Sequence, residues 1–313
     1  MVAGCPPSTL ADPPLRAGRA RCTSLALLAS LLVGCGAQRP PSAFPTADAA
    51  LDRMKATYAC VNGVQGTAKV DHFSQQGRIR GDLELLAVNP DRVRFDVVSP
   101  FGATVYSLTS DGVAFNMLDV KEKLFLHGPA NACNLARLTH VPVPAHALVA
   151  LLRGEAPVLV HGPPQTSITW DSGGFYRLVV QSTRDAREEV LLAVRPDDLN
   201  KPWQEQRTRV LDVRVAQRGI ELYHADFHDY APARTASPRV DPDGLEPTIN
   251  PSGPTCDAEL PRAIRVRAPG TDQDVEFSYR DAKWNPPLVS GAFVLAVPGG
   301  VRTAFSACGP EGP

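Results

Sequence analysis

Much of the chain alternates apolar and polar residues with a period of two, the pattern of strands that are buried on one face. Leu83 and Leu85 alternate with Asp82 and Glu84, and residues 92–97 repeat the pattern after an Asn-Pro turn. Turns rich in glycine, proline and asparagine separate such runs as far as residue 129. The pattern predicts an antiparallel meander with one apolar and one polar face, and the apolar face must be covered.

Three segments follow a helical period and are the candidates for that cover. Residues 47–58 place their apolar side chains on one stripe, and residues 131–138 and 145–153 form shorter helical patterns. Pro142 and Pro144 enforce a break between the last two segments. The sequence therefore predicts one helix before the meander and two lid helices after it.

Strand patterns resume after the helices and continue almost to the end of the chain. They cover residues 167–171, 175–182, 189–194, 209–216, 220–227, 263–268, 274–279 and 292–297. Residues 231–259 contain six prolines with little apolar periodicity and are predicted to be a mobile surface insertion. The last strands are too short to form a stable sheet alone, so we expect one domain from residue 47 to residue 308.

The N-terminus has the features of an export signal. Basic residues precede a twelve-residue apolar stretch, residues 22–33, which is too short to span a bilayer. The stretch ends in Leu32-Val33-Gly34-Cys35, which resembles the lipobox of bacterial lipoproteins. The resemblance implies that residues 1–34 are removed, that Cys35 is acylated, and that the Pro-rich residues 35–46 form a tether. An ordinary secretory signal with an incidental cysteine is the alternative.

Composition excludes some partners. The formal net charge is -1, which disfavours a nucleic-acid binder that neutralises phosphates. No apolar run reaches the 18 residues of a membrane-spanning helix. Acyl chains on Cys35 would therefore provide the membrane attachment.

Four cysteines remain after an exported chain loses its signal and Cys35 is acylated: Cys60, Cys133, Cys256 and Cys308. An oxidising compartment permits disulfides, and four cysteines allow three connectivities. Nearness along the chain favours Cys60–Cys133 and Cys256–Cys308.

The sequence contains no recognised catalytic, nucleotide-binding or metal-binding motif, so we expect no catalytic residue, no cofactor and no metal. The best metal candidates are His224 and His228, but on a strand they would lie about 13 Å apart. They are interpreted as structural or surface histidines.

One stretch resembles a known family. Residues 92–102, which run from a strand into Ser99-Pro100-Phe101-Gly102, resemble the outer-membrane lipoprotein receptor LolB, where a strand ends in a Pro-Leu-Gly loop. Residues 134–144 and 148–154 are similar to the lid helices of that family. Residues 260–267 and 284–288 resemble related LolA-type folds.

The resemblance implies an unclosed antiparallel β-barrel of the α+β class, mainly β, whose helices cover an apolar cavity for acyl chains. The residues expected to line the cavity or lid are Leu83, Leu85, Val93, Phe95, Val97, Val105, Leu148, Leu151, Leu152, Leu211, Val213 and Val215. Pro100, Phe101 and Gly102 would form a loop that inserts into the membrane. The implied protein is non-enzymatic, anchored in the outer membrane and facing the periplasm, with lipoprotein acyl chains or other lipid and a LolA-type carrier as partners.

Two other functions remain open. A structural envelope lipoprotein would fill the cavity with its own side chains and bind protein partners. A periplasmic hydrolase would need a Ser/His/Asp cluster at the cavity mouth.

Overall fold

The structure is a computed structural model that describes residues 37–75, 77–162 and 164–308. The proposed signal peptide and Cys35 lie outside the described residues. The described chain contains three α-helices, α1 (Ala47–Tyr58), α2 (Ala132–Thr139) and α3 (Ala145–Leu152). Within these residues, none of the helices combines the length and the hydropathy needed to cross a bilayer.

Fifteen strands belong to one sheet in the described residues. Their bounds are β1 (Gly63–Ser74), β2 (Gly77–Val88), β3 (Arg92–Val98), β4 (Thr104–Ser110), β5 (Ala114–Asp119), β6 (Leu124–Pro129), β7 (Thr166–Asp171), β8 (Phe175–Gln181), β9 (Ala186–Val194), β10 (Thr208–Gln217), β11 (Ile220–Pro232), β12 (Arg234–Thr235), β13 (Glu259–Ala268), β14 (Gln273–Trp284) and β15 (Arg302–Phe305).

The sheet is not closed into a barrel. Its strand order is β15-β6-β5-β4-β3-β2-β1-β14-β13-β11-β10-β9-β8-β7, and the end strands β15 and β7 do not pair with each other. All neighbours on this path are antiparallel except β15 and β6. The mainly β fold with an unclosed barrel and few helices is confirmed.

The helices cover the concave face of the sheet. Thr46 caps α1 by accepting a hydrogen bond from the Ala49 amide, and the stripe that includes Leu51 and Met54 is buried. All but two residues of α3 are buried, because α3 lies across the inner face of β2 and β3. The apolar face predicted from the alternation is thus covered by the predicted helices.

The antiparallel strands define two rims. Turns 99–103, 120–123 and 218–219 lie at one rim, which we name the cavity rim. Turns 89–91 and 172–174 lie at the opposite rim, which we name the N-terminal rim. Ala37 lies at the N-terminal rim, since its amide donates to the Ser172 carbonyl at 2.8 Å.

The disulfide pairing favoured from the sequence is wrong. Cys60 pairs with Cys256, and Cys133 pairs with Cys308. Nearness along the chain misleads here because β14 returns beside β1, and β15 returns beside β6, over long connections. The two bridges therefore join the end of α1 to the segment before β13, and the start of α2 to the segment after β15.

Residues 37–46, which the sequence assigns to a tether, pack against the domain. Phe44 is buried, with its ring centroid 5.0 Å from that of Tyr176 and 6.2 Å from that of Trp203. The insertion is also held to the domain, by the Cys60–Cys256 bridge and by a β-bridge between Pro251 and Pro287. The strand predicted at residues 292–297 does not form, and the segment instead leads into β15.

Candidate functional site

An apolar cavity of about 340 Å³ lies between the inner face of the sheet and the C-terminal end of α2. Leu83 on β2 faces Val97 on β3, and Val97 in turn faces Tyr106 on β4. Phe277 on β14 and Met117 on β5 extend the wall on either side. With Val70 on β1, six neighbouring strands thus present apolar side chains to one space.

The cavity exists partly because β2 has a glycine on its inner face. Gly81 occupies the same side of the strand as Leu83, and it lines the cavity. A Cβ atom placed on Gly81 would meet only the Val97 side chain, at 3.7 Å. The space above Gly81 is therefore large enough for a side chain or for a ligand.

The end of α2 forms the roof of the cavity. The helix stops because His140 adopts a left-handed conformation with φ of 55°, while its amide still bonds to the Ala136 carbonyl at 2.9 Å. The stop turns Leu138, Thr139 and His140 towards the cavity. At its other end α2 is fixed by Asn134, whose amide donates to the Ser306 carbonyl at 3.0 Å.

Polar groups collect at one end of the cavity. The rings of His72 and His140 stack with centroids 3.8 Å apart and an interplanar angle of 6°. Burial, together with the nearby His72, lowers the pKa of His140, so the histidine at the roof is neutral near pH 7. Arg137, one helical turn before His140 on α2, also lines the cavity.

Only some of the predicted cavity residues line this space. Leu83, Phe95 and Val97 do so. The others that face inward are packed into the hydrophobic core instead: Leu85, Val93, Leu148, Leu151, Leu152, Val213 and Val215. The predicted cavity is therefore mostly filled core, with open space near the cavity rim.

Val105 and Leu211 were expected to face inward, but they do not. On β4 the inward residues are Tyr106 and Leu108, so alternation directs Val105 to the other face. A bulge between Val210 and Asp212 leaves Leu211 out of the pairing with β9. Neither residue contributes to the core cluster.

The Pro100-Phe101-Gly102 loop forms the tip between β3 and β4. Gly102 has φ of 81°, and its amide donates to the Ser99 carbonyl at 2.9 Å, which closes a tight turn. The Phe101 side chain is 97% exposed. A large apolar side chain thus protrudes at the same rim as the cavity.

A second concavity of about 570 Å³ lies at the N-terminal rim and is more polar. The buried Arg153 at its floor donates to the carbonyls of Tyr58 and Val61 and lies 3.3 Å from a Glu155 oxygen. Burial raises the pKa of Glu155 and lowers that of Arg153. These contacts join the end of α3 to the end of α1, which is a structural role.

Asp212, His224 and Asp226 cluster on the outer face of β10 and β11. Hydrogen bonds from His224 to Asp212 and Asp226 raise the pKa of His224 to about 9. Arg267 also donates to Asp226. With protonated His224 and Arg267 neutralising the two carboxylates, the cluster is an ion-pair network rather than a vacant ligand set.

Sequence reasoning missed several cavity residues. For three strands, the residues that face inward were predicted wrongly or not at all, and these strands carry Tyr106, Met117 and Phe277. His72 was not considered. The buried Leu108 gives the correct phase for β4, since it lies two residues from Tyr106. The position of His72 depends on pairing with β14, across about 200 residues of sequence.

No family model and no curated protein matches the sequence. Among solved structures, the chain is similar to a LolA-superfamily protein from Nitrosomonas europaea, at 12% identity and a TM-score of 0.46, over 80% of this chain and 98% of the other. It is similar to a DUF1329-family protein from Desulfovibrio piger, at 11% identity and a TM-score of 0.47, over 82% and 98%. A domain from Vibrio parahaemolyticus named for outer-membrane lipoprotein sorting gives 11% identity and a TM-score of 0.40, over 79% and 97%.

Proposed function

We propose that this chain is a lipoprotein of the bacterial cell envelope, anchored through Cys35, that holds acyl chains and takes part in placing lipoproteins into the outer membrane. The observation that carries the proposal is the apolar cavity between Leu83, Phe95 and Val97 on the sheet and Leu138 on α2. An alkyl chain in such a space is removed from water, which stabilises it by about 0.8 kcal/mol per methylene.

The cavity volume limits the cargo. Ligand pockets in proteins hold about 300–1,000 Å³, and 340 Å³ lies at the low end of that range. Three acyl chains do not fit without movement of α2. Binding of a complete lipoprotein anchor therefore requires the C-terminal end of α2 to lift while Asn134 and the Cys133–Cys308 bridge hold the other end.

The exposed loop supplies a route for release. Phe101 protrudes from the cavity rim, and a large apolar side chain gains free energy by entering the membrane interface. In the proposed function, Pro100, Phe101 and Gly102 contact the receiving bilayer while the cargo leaves the cavity. A LolA-type periplasmic carrier would be the donor.

A second candidate function is favoured by the packing of the core. Most of the predicted inward residues are buried against each other, including Leu148 and Leu152 on α3. A structural envelope lipoprotein that binds protein partners would have such a filled interior. A hydrolase receives less support, since within the described residues no serine or cysteine side chain is hydrogen-bonded to a histidine.

The test is a titration of the full chain carrying Cys35→Ala with a fluorescent acyl probe, followed by competition with a purified triacylated lipoprotein. Gly81→Leu should abolish probe binding, because the new side chain fills the cavity. Gly299→Leu is the matched control, since a Cβ there meets no atom within 4 Å. Saturable binding that Gly81→Leu removes, with competition by the lipoprotein, supports the proposal. Absence of binding to a folded protein contradicts it and favours the structural lipoprotein.

A further inference from the structure

The polar end of the cavity contains a buried histidine with an unused nitrogen. His72 is 6% exposed, and its Nε2 lies 2.7 Å from the Gln273 side-chain oxygen. Its Nδ1 is buried and has no hydrogen-bond partner among the described residues. A buried polar atom of this kind normally finds a partner, so the site lacks one group that a ligand can supply.

The neighbouring glutamine determines which ring nitrogen of His72 carries the proton. The Gln273 amide nitrogen donates to the Thr271 carbonyl at 2.8 Å, so its oxygen must face His72. Since that oxygen can only accept, His72 Nε2 is the donor. Neutral His72 therefore presents Nδ1 as an acceptor, and protonated His72 presents it as a donor.

A cation lines the same cavity, one helical turn before His140 on α2. Arg137 donates through Nε to the Asn134 side-chain oxygen at 3.2 Å, and within the described residues it forms no ion pair with a carboxylate. Nearby acids have other partners: Asp82 pairs with Arg280 at 2.8 Å, and Asp71 pairs with Arg78 and Arg80. Asp119, which lines a neighbouring pocket with Arg137, accepts from the Glu122 amide at 2.9 Å. Nη2 of Arg137 also lies 3.9 Å from Cys308 Sγ, so among the described residues the guanidinium has weak or neutral partners and keeps its charge available to an anion.

The rest of the cavity wall is apolar, and the cavity volume suits one alkyl chain. Leu83, Phe95, Val97 and Phe277 surround the space beyond the histidines. At about 30 Å³ for each water-sized group, the 340 Å³ volume holds on the order of eleven such groups. That is one alkyl chain of medium length.

We propose that the cavity binds a single-chain carboxylic acid, with the alkyl chain against β2, β3 and β14 and the carboxyl group between His72 Nδ1 and Arg137. The proposal rests on the acyl-binding function above and names its ligand class. A carboxyl group fits both polar neighbours. One oxygen shares a proton with Nδ1, and the charge is balanced by the guanidinium.

The test compares four ligands of equal chain length, each below its micelle-forming concentration, as competitors of a fluorescent acyl probe on the Cys35→Ala protein. The ligands are dodecanoate, methyl dodecanoate, dodecanol and dodecyltrimethylammonium. Dodecanoate should bind about tenfold or more tightly than the ester, because charge-assisted hydrogen bonds are the stronger ones. The ammonium ligand should bind most weakly, since Arg137 repels it.

Two variants locate the head group. Arg137→Gln and His72→Phe should each weaken dodecanoate about tenfold while leaving the ester unchanged. Phenylalanine keeps a ring against His140, and Arg184→Gln, in an exposed turn, is the matched control for lost charge.

The outcomes separate this proposal from the proposed function. Equal affinity for acid, ester and alcohol, all abolished by Gly81→Leu, overturns the carboxylate site but retains acyl binding. No binding of any ligand to a folded protein overturns both. Selective binding of the acid that is unaffected by Arg137→Gln and His72→Phe also overturns the assigned site. The ligand series is measured on the protein with an unmodified cavity, so its result does not depend on the stability of any cavity variant.

Discussion

At the scale of single residues, Phe101 is the side chain whose position bears most directly on delivery. It is 97% exposed in a closed turn, so Phe101→Glu should leave the fold intact. The variant should lose transfer of bound acyl cargo from the soluble Cys35→Ala protein to vesicles, because a carboxylate does not enter the membrane interface. The measurement is lipid transfer to vesicles by a fluorescence assay.

The matched control for Phe101→Glu is Val113→Glu. Val113 is 82% exposed in a turn at the N-terminal rim, so Val113→Glu adds the same charge away from the cavity rim. Undiminished transfer by folded Phe101→Glu, or an equal loss in the Val113 variant, would rule out the loop as the delivery element.

A second prediction at this scale concerns Glu188, a fully buried carboxyl on β9. Burial raises its pKa from 4.5 to about 8, although the Leu159 amide donates to it at 2.8 Å. The unfolded chain loses this proton near pH 4.5 and the folded chain only near pH 8. Stability contributed by the protonated group is therefore complete below pH 4.5 and declines as pH rises through that window.

Glu188→Gln should remove this decline, because glutamine still accepts from the Leu159 amide but cannot ionise. One pKa unit corresponds to about 1.4 kcal/mol, so the difference between the wild type and the variant amounts to a few kcal/mol above pH 8. Urea unfolding from pH 5 to pH 9 measures it, with the exposed Glu246→Gln as control. Parallel pH profiles for the wild type and Glu188→Gln would contradict the assignment.

At the scale of secondary-structure elements, the Cys133–Cys308 bridge fixes the N-terminal end of α2 to the segment that follows β15. Replacing both cysteines with serine should lower the free energy of unfolding by about 2–4 kcal/mol. It should also speed acyl-probe exchange, since α2 is the roof of the cavity. Urea unfolding and stopped-flow fluorescence measure the two effects.

The Cys60–Cys256 bridge is the natural control, because it lies between the end of α1 and the insertion rather than at the roof. Its double serine variant should lose stability without faster exchange. Equal acceleration of exchange in both variants would show that global loosening, not the roof, controls entry.

The elements also show how far sequence patterns extend. Apolar periodicity predicted α1 to the residue and α2 and α3 to within one residue, since helix signals are local. Strand alternation located most strands, but the prediction that Leu211 faces inward was wrong, because a bulge interrupts the alternation there. Disulfide pairing and the placement of His72 beside His140 depend on contacts between residues far apart in sequence, which periodicity does not encode.

At the scale of the whole molecule, Ala37, the first described residue, and the cavity lie at opposite rims. Only Gly36 separates Cys35 from Ala37, so the covalent distance between their Cα atoms is at most about 7.6 Å. Twelve-residue strands such as β1 span about 40 Å at 3.3 Å per residue. A protein anchored through Cys35 therefore holds Phe101 away from the anchoring bilayer while residues 37–46 are docked. Delivery by Phe101 into that same bilayer requires residues 37–46 to release from the domain.

This orientation predicts that tryptophan at position 101 (Phe101→Trp) stays unquenched by brominated lipids in proteoliposomes of the acylated protein. Inserting about 20 Gly/Ser residues after Gly36, with an r.m.s. length of about 25 Å, should permit quenching. The parent protein, with its three tryptophans, gives the background for each measurement. Strong quenching without the linker would show that residues 37–46 release from the domain on the membrane.

The central claim is that the space above Gly81 holds an alkyl chain. The most direct measurement is a crystal structure of the Cys35→Ala protein grown with 12-bromododecanoic acid, with bromine located by its anomalous signal. The account predicts bromine among Leu83, Phe95 and Phe277, at the apolar end of the cavity. Bromine elsewhere on the protein, or an empty cavity at saturating ligand, would contradict it.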